Sequence, residues 1–356
     1  MNGQSQYAAD LAYQERALQG VSRTFALTIP TLPDPLERVV GNAYLLCRLA
    51  DTVEDEPAID PARKRELSEQ FIAVVRGDVE PAAFSEACLP LLSDSTSPDE
   101  QELVRRTDAV IRITHSFTVS QRRALERCVA IMARGMSDYQ ECETLEGLPD
   151  LPAMDRYCYF VAGVVGEMLT ELFCDHDEAI ARHRKELMPL AVSFGQGLQM
   201  TNILKDIWDD RRRGACWLPQ DVFRMHGFSL GRLRPGCDDP RFLAGMGELI
   251  GIARHHLEEA LEYTLLIPAH QAGIRRFCLW ALGMAVLTLR RINGRRDFSD
   301  AGQVKISRRS VRTTVAVTSA LARYDGALRL LFATACRGLP RSGIREKLCA
   351  GRERSV

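Results

Sequence analysis

Tyr44-Leu-Leu-Cys-Arg48-Leu-Ala-Asp51-Thr-Val-Glu54-Asp55 is the stretch around which the chain is organised. Read as an α-helix, it sets Tyr44, Arg48, Asp51 and Asp55 at steps of four, three and four along one face. The positions between them are mostly apolar. A polar line on a helix that otherwise looks buried costs free energy unless something compensates it. Metal ions held by the carboxylates, with an anion reached by the arginine, are one compensation. A solvated helix face reads the same way, and this stretch alone leaves both readings open.

A second stretch changes the balance. Gln199-Met-Thr-Asn202-Ile-Leu-Lys205-Asp206-Ile-Trp-Asp209-Asp210 sets Gln199, Asn202, Asp206 and Asp210 at steps of three, four and four, with Met200, Ile203, Leu204, Ile207 and Trp208 between them. Two such helices, far apart in the chain, suggest surfaces that face a shared cavity. The residue types point to hard-cation chemistry: Mg²⁺ prefers oxygen ligands, and one or two carboxylates plus substrate phosphates commonly hold it. Metal and arginine together neutralise charge growing on a departing diphosphate, and an apolar cavity shields a carbocation from water. Neither histidine nor cysteine clusters with ligand spacing, which argues against zinc or iron.

The remaining pattern is helical, and the expected fold class is all-α. Asp34-Pro35 and Asp60-Pro61 each read as a helix start, giving helices over 34–56 and 61–76. Further helices are expected over 98–117, from Ser120 onward, and over 153–173, 177–210, 241–266, 271–292 and 309–336. The segment 21–32 is the most strand-like piece. With no solenoid repeat and no long linker, the economical division is one large helical domain over 1–336 and a polar, basic tail over 337–356.

Composition narrows the function classes. The 356 residues are 46% hydrophobic and 26% charged with a net charge of −1, so no overall field favours nucleic acid. Eleven cysteines, an odd number with no Cys-x-x-Cys pair, read as buried free thiols in a reducing cytoplasm. The N-terminus lacks the basic and apolar regions of a signal peptide. The apolar run 277–289 is too short to span a bilayer. The expectation is a cytoplasmic protein without a transmembrane segment, with peripheral contact at the inner membrane face allowed for, and a monomer in preference to an oligomer.

In this order and context, the two aspartate blocks resemble the squalene/phytoene synthase family. Ser22-Arg23-Thr24-Phe25 and Tyr157-Cys-Tyr-Phe-Val-Ala-Gly163-Val-Val-Gly166 complete the resemblance, which runs from about Tyr13 to about Val315. Asp51-Thr-Val-Glu54-Asp55, Arg156-Tyr157-Cys158, Phe277-Cys278 and Val304-Lys305-Ile306-Ser307-Arg308 are most similar to its squalene synthase branch.

The resemblance implies an all-helical isoprenoid-synthase-type domain with a central cavity, joining two farnesyl diphosphates head to head. It implies Mg²⁺, or Mn²⁺, on Asp51, Asp55, Asp206 and Asp210, and a catalytic role for Tyr157 in proton removal or cation steering. It places Ser22, Arg23, Phe25, Tyr44, Arg48, Gln199, Asn202, Lys205, Phe277 and Cys278 against substrate. Lys305 and Arg308 fall where that branch is associated with the phosphates of NADPH. No Gly-x-Gly-x-x-Gly follows a strand, so a nicotinamide site here is not a Rossmann domain. The expected reaction is ionisation of one farnesyl diphosphate, capture by the other to give presqualene diphosphate, and NADPH-dependent reduction to squalene. Dehydrosqualene, phytoene or hydroxysqualene synthesis without NADPH is the alternative, and a non-catalytic prenyl-diphosphate-binding helical protein is the rival of another class.

Overall fold

Proline in the first helical turn, behind a residue whose side chain caps the exposed amides, recurs along the chain and sets its boundaries. Asp60 accepts from the Arg63 amide ahead of Pro61, Asp150 from the Ala153 amide ahead of Pro152, and Asp239 from the Arg241 amide ahead of Pro240. The computed structural model describes residues 2–22, 24–140 and 144–343. Among those residues the protein is all-α, without a β-strand and with one isolated bridge between Leu148 and Pro219.

In chain order the helices are α1 (Asn2–Val21), α2 (Phe25–Thr28), α3 (Asp34–Asp55), α4 (Pro61–Arg76), α5 (Pro81–Cys88), α6 (Pro98–Arg105), α7 (Thr107–Ser116) and α8 (Val119–Gln140). There follow α9 (Leu151–Cys158), a π turn over Tyr159–Gly163, α10 (Val164–His176), α11 (Glu178–Ala181), α12 (Arg184–Arg212) and α13 (Gln220–Met225). The last four are α14 (Pro240–Leu266), α15 (Ala272–Gly294), α16 (Arg308–Leu321) and α17 (Asp325–Ala335).

The structure corrects several expectations. The strand-like segment 21–32 forms α2 and a 3₁₀ turn over Ile29–Thr31. The helix expected over 98–117 breaks at Arg106, where φ is −103° and ψ 25°. The one expected over 309–336 breaks after Leu321. Helix α1 has too little apolar periodicity to show in the sequence. Its buried Asp10 is matched by a bidentate pair with Arg112 of α7, at 2.8 Å to each oxygen, and this holds the Asp10 carboxyl below the usual range.

The chain separates into two compact units, Met1–Glu141 with Val164–Lys185, and Cys142–Gly163 with Glu186–Val356. In the first unit α3 is the central element and packs against α1, α4, α7, α8 and α10. Leu45, Leu46 and Leu49 are fully buried. Asn42, equally buried, is satisfied by donating to the Val110 carbonyl at 3.0 Å and accepting from the Thr114 hydroxyl at 2.7 Å.

In the second unit α14 packs on α15, and α15 on α16. Buried Arg275 donates to the carbonyls of Leu265, Ile267 and Ala322 and pairs with Asp325 at 2.6 Å. These bonds use the ends of α14 and α16 and the start of α17, which explains the break between the last two helices. A Cβ at Gly195 would lie 2.3 Å from the Ala162 carbonyl oxygen, so α12 meets the π turn backbone to backbone.

The apolar run 277–289 belongs to a longer apolar helix. Leu151–His176 and Ala272–Gly294 are both long and apolar enough to cross a membrane by length and composition. In Ala272–Gly294, 67% of the most apolar window is buried inside the protein, which fits a core helix. Cys47, Cys88, Cys128, Cys158, Cys216, Cys278 and Cys336 are buried free thiols, and Cys174 and Cys237 are half-buried ones; Cys142 and Cys349 lie outside the described residues. So do residues 344–356 of the basic tail.

Candidate active site

Helix α3 delivers Tyr44, Arg48, Asp51 and Asp55 along one face. The residues ahead of it fold back onto this face. The Ser22 hydroxyl accepts the Phe25 amide at 3.0 Å, the Phe25 and Tyr44 rings are 5.0 Å apart, and the Tyr44 hydroxyl donates to the Val21 carbonyl at 3.2 Å. Arg48 Nη2 meets Glu100 of α6 at 2.6 Å, and Nη1 lies 3.9 Å from Asp51 Oδ2. Ser22, Phe25, Tyr44, Arg48 and Asp51 therefore form one continuous cluster within the first unit, with Asp55 exposed one turn further on. Arg23 lies outside the described residues.

Burial pushes the Asp51 carboxyl up to about 7; Asp55 beside it adds to the shift and Arg48 opposes it. A carboxylate anion here is poorly solvated and sits next to a second one. Burial likewise raises the Tyr44 hydroxyl above its ordinary value.

Helix α12 repeats the arrangement in the second unit. Gln199, Asn202, Lys205 and Asp206 are partly or fully exposed on one face, while Met200, Ile203, Leu204, Ile207 and Trp208 are buried. Lys205 Nζ stands 3.1 Å from Asp206 Oδ2 and 3.4 Å from Asn202 Oδ1. Asp210 is buried and takes Arg213 at 2.7 Å. Burial raises Asp206 against the pull of Lys205, and raises Asp210 to about 6 against that of Arg213. Trp208 fixes the helix by donating to the Phe298 carbonyl at 2.7 Å, which ties the approach to Lys305 to α12.

Asp210 also packs with Ile203, Ile207, Cys216, Trp217 and Leu218 around a narrow crevice that has no room for a water molecule. Tyr157, at the end of α9, is buried against the face of that Trp217. Phe277 and Cys278 are buried in α15, where burial pushes the Cys278 thiol up to about 12. Lys305 and Arg308 are exposed on either side of Ser307, whose hydroxyl caps α16 by accepting the Ser310 amide at 3.1 Å.

The sequence profile of the squalene/phytoene synthase family matches residues 18–310. The chain belongs to the squalene/phytoene synthase family. The chain is 28% identical to the squalene synthase of Gibberella zeae over 77% of its own length and 57% of that protein's. Against the squalene synthase of Saccharomyces cerevisiae it is also 28% identical, over 80% and 62% of the two chains. The chain thus spans about three-fifths of the length of these curated relatives. Among solved structures, the TcSQS–ligand complex shares its fold with a TM-score of 0.71 at 22% identity, over 92% of both chains. A dehydrosqualene synthase–ligand complex gives 0.59 at 20% identity, over 90% of this chain and 99% of that one.

The donor set of this family member suits a hard divalent cation. Asp51 and Asp55 are one helical turn apart, as are Asp206 and Asp210, and burial disfavours the bare anion at Asp51, Asp206 and Asp210. The polar stripe of each helix carries two aspartates one turn apart, and among the described residues no three His, Cys, Asp or Glu side chains converge on one point. The two aspartate helices belong to different units.

Three neighbours of the site were not anticipated. Glu100 could have been found, because Ser97-Pro-Asp-Glu100 spells a capping box that fixes where its carboxylate starts. Arg213 sits one turn past Asp210, the ordinary spacing for a helical ion pair. Trp217 had no signal, since its partner Tyr157 is distant in sequence.

Proposed function

We propose that this family member is a squalene synthase, joining two farnesyl diphosphates into presqualene diphosphate and reducing that to squalene with NADPH. The observation that carries the reading is the pair of aspartate stripes, each with two aspartates one turn apart on the polar face of a helix whose other positions are largely buried. Burial pushes Asp51 up to about 7 and Asp210 to about 6, and divalent cations with a diphosphate relieve such a cost. The curated relatives named squalene synthase support the same choice within the family.

In this reading Asp51 and Asp55, and Asp206 and Asp210, hold Mg²⁺, or Mn²⁺. Bound there, the cation supplies positive charge against the anion that grows on the departing diphosphate. Arg48 and Lys205 contribute donors to the diphosphate oxygens, with Arg23 a third candidate. Ser22, Phe25, Tyr44, Gln199 and Asn202 line the substrate, and the apolar surfaces of Phe277 and Cys278 bound the prenyl chains. The Tyr157 hydroxyl takes part in moving the proton that closes the cyclopropane, with its ring orientation set by Trp217.

Lys305 and Arg308 bind phosphate groups of NADPH. Both are exposed cations at the capped N-terminus of α16, a position that favours anions. The free thiols among the described cysteines fit a reducing cytoplasm.

Asp51→Asn and Asp206→Asn test the carrying observation. Each variant is expected to lose farnesyl diphosphate turnover by at least about a hundredfold while its circular dichroism stays that of the parent. Turnover unchanged in either variant would remove the metal assignment for that helix.

A further inference from the structure

Arg48 does not stand alone in the first unit. Its Nη2 meets Glu100 Oε1 at 2.6 Å, and the other Glu100 oxygen is already committed. Oε2 accepts the Ser97 amide at 3.0 Å and the Ser97 hydroxyl at 2.7 Å, while Ser97 Oγ accepts the Glu100 amide at 3.3 Å. The carboxylate is thus fixed to the first turn of α6 by a closed capping box.

That first turn is itself anchored to α3. Glu56, the residue after α3, is buried and accepts from the Ser93 amide at 2.9 Å, the Ser93 hydroxyl at 2.6 Å and the Thr96 hydroxyl at 2.6 Å. The loop so held runs into Ser97. A circuit results: the end of α3 grips the loop through Glu56, and the helix that follows returns a carboxylate to Arg48, two turns earlier on α3. Within it the guanidinium keeps unused donors, because Nε is buried without a hydrogen bond and Nη1 is beyond hydrogen-bond distance of Asp51.

We propose that Glu100 is a positioning residue for the diphosphate-binding arginine: it holds Arg48 by one nitrogen, so the remaining donors are ordered before the diphosphate arrives. This rests on the reading of Arg48 as a diphosphate contact. An untethered arginine must lose its rotamer freedom on binding, which weakens affinity by about three- to tenfold. Simple electrostatics gives the opposite sign, because removing a carboxylate near an anion site strengthens anion binding. The direction of the change therefore decides between them.

The test uses the full chain and its Glu100→Gln variant, with calorimetric titration of inorganic diphosphate in Mg²⁺ and steady-state kinetics on farnesyl diphosphate. The expected result is a dissociation constant for diphosphate and a KM for farnesyl diphosphate each raised about three- to tenfold, with kcat within about twofold. In an Arg48→Gln background, Glu100→Gln is expected to add nothing further, since Glu100 acts through Arg48. If Glu100→Gln lowers the melting temperature, Ser97→Ala, which removes the hydroxyl's two bonds to Glu100, leaves the Ser97 amide on Oε2 and keeps both charges, is expected to weaken diphosphate binding in the same direction. Unchanged or tighter diphosphate binding in Glu100→Gln, additive effects in the double variant, or no diphosphate binding by the parent would overturn the proposal. A parent that binds diphosphate but does not turn over farnesyl diphosphate would sink the squalene synthase reading and leave the Glu100 test standing.

Discussion

The rings of Tyr157 and Trp217 lie face to face, 4.1 Å between centroids and 5° from parallel. A stack this close fixes the plane of the tyrosine, and Trp217 also lines the crevice that holds Asp210. If Tyr157 moves a proton during cyclopropane closure, its ring angle sets where the hydroxyl points. Trp217→Leu is expected to lower kcat about tenfold or more with KM for farnesyl diphosphate within about threefold, while Trp217→Phe keeps most of the rate. Equal kinetics for the Leu variant and the parent would show that the stack serves packing alone.

Burial of the first aspartate pair gives the metal-free protein a recognisable pH dependence. The Asp51 carboxyl lies near 7 when folded, against an ordinary value of 3.8, so the folded state binds its proton more tightly. Its contribution is fully present below 3.8 and is lost as pH rises towards about 7. The melting temperature of chelated protein is therefore expected to fall between about pH 4 and about pH 7, and Mg²⁺ is expected to restore it at the upper end. Asp51→Asn is expected to flatten both responses. Calorimetry showing no difference between the chelated parent and Asp51→Asn would contradict this account of the site.

Glu56 titrates with the opposite sign. Burial alone would push its carboxyl up, but the Ser93 and Thr96 hydroxyls and the Ala58 and Ser93 amides hold it down to about 2. Its stabilisation is complete above the ordinary 4.5 and is lost as pH falls towards about 2, for the most part below the Asp51 window. Glu56→Gln is expected to destabilise the protein by about 2–3 kcal/mol at neutral pH, because it removes charge-assisted hydrogen bonds from a buried group. Urea unfolding at neutral pH and near pH 3 measures this, and the gap between parent and variant is expected to narrow in acid.

The polar stripes of α3 and α12 were legible because the helical period is written in the residue order, and the starts at Pro35 and Pro61 because an aspartate stands directly before each proline; the short helix that begins at Pro81 was not read. What stayed hidden depends on contacts across the chain. Helix α1 buries a charged residue against Arg112, and a matched pair leaves no apolar period behind. The break at Arg106 carries no proline or glycine. The π turn at Tyr159–Gly163 answers the close approach of Gly195, a constraint that neither stretch shows alone. Glu100 and Trp217 are similar cases: the residue types were visible, while their partners Arg48 and Tyr157 were fixed only by the fold.

Lys305 and Arg308 separate the two halves of the proposed reaction. Lys305→Ala with Arg308→Ala is expected to raise KM for NADPH about tenfold or more and leave formation of presqualene diphosphate from farnesyl diphosphate close to the parent rate. Product analysis of single turnovers checks this. Equal losses in both half-reactions would place these two cations elsewhere in the mechanism.

The most direct measurement is mass spectrometry of the products that purified protein makes from farnesyl diphosphate and Mg²⁺, with and without NADPH. The account predicts squalene when NADPH is present and presqualene diphosphate or products derived from it when NADPH is left out. The same products with and without NADPH, or a preference for geranylgeranyl diphosphate over farnesyl diphosphate, would contradict it.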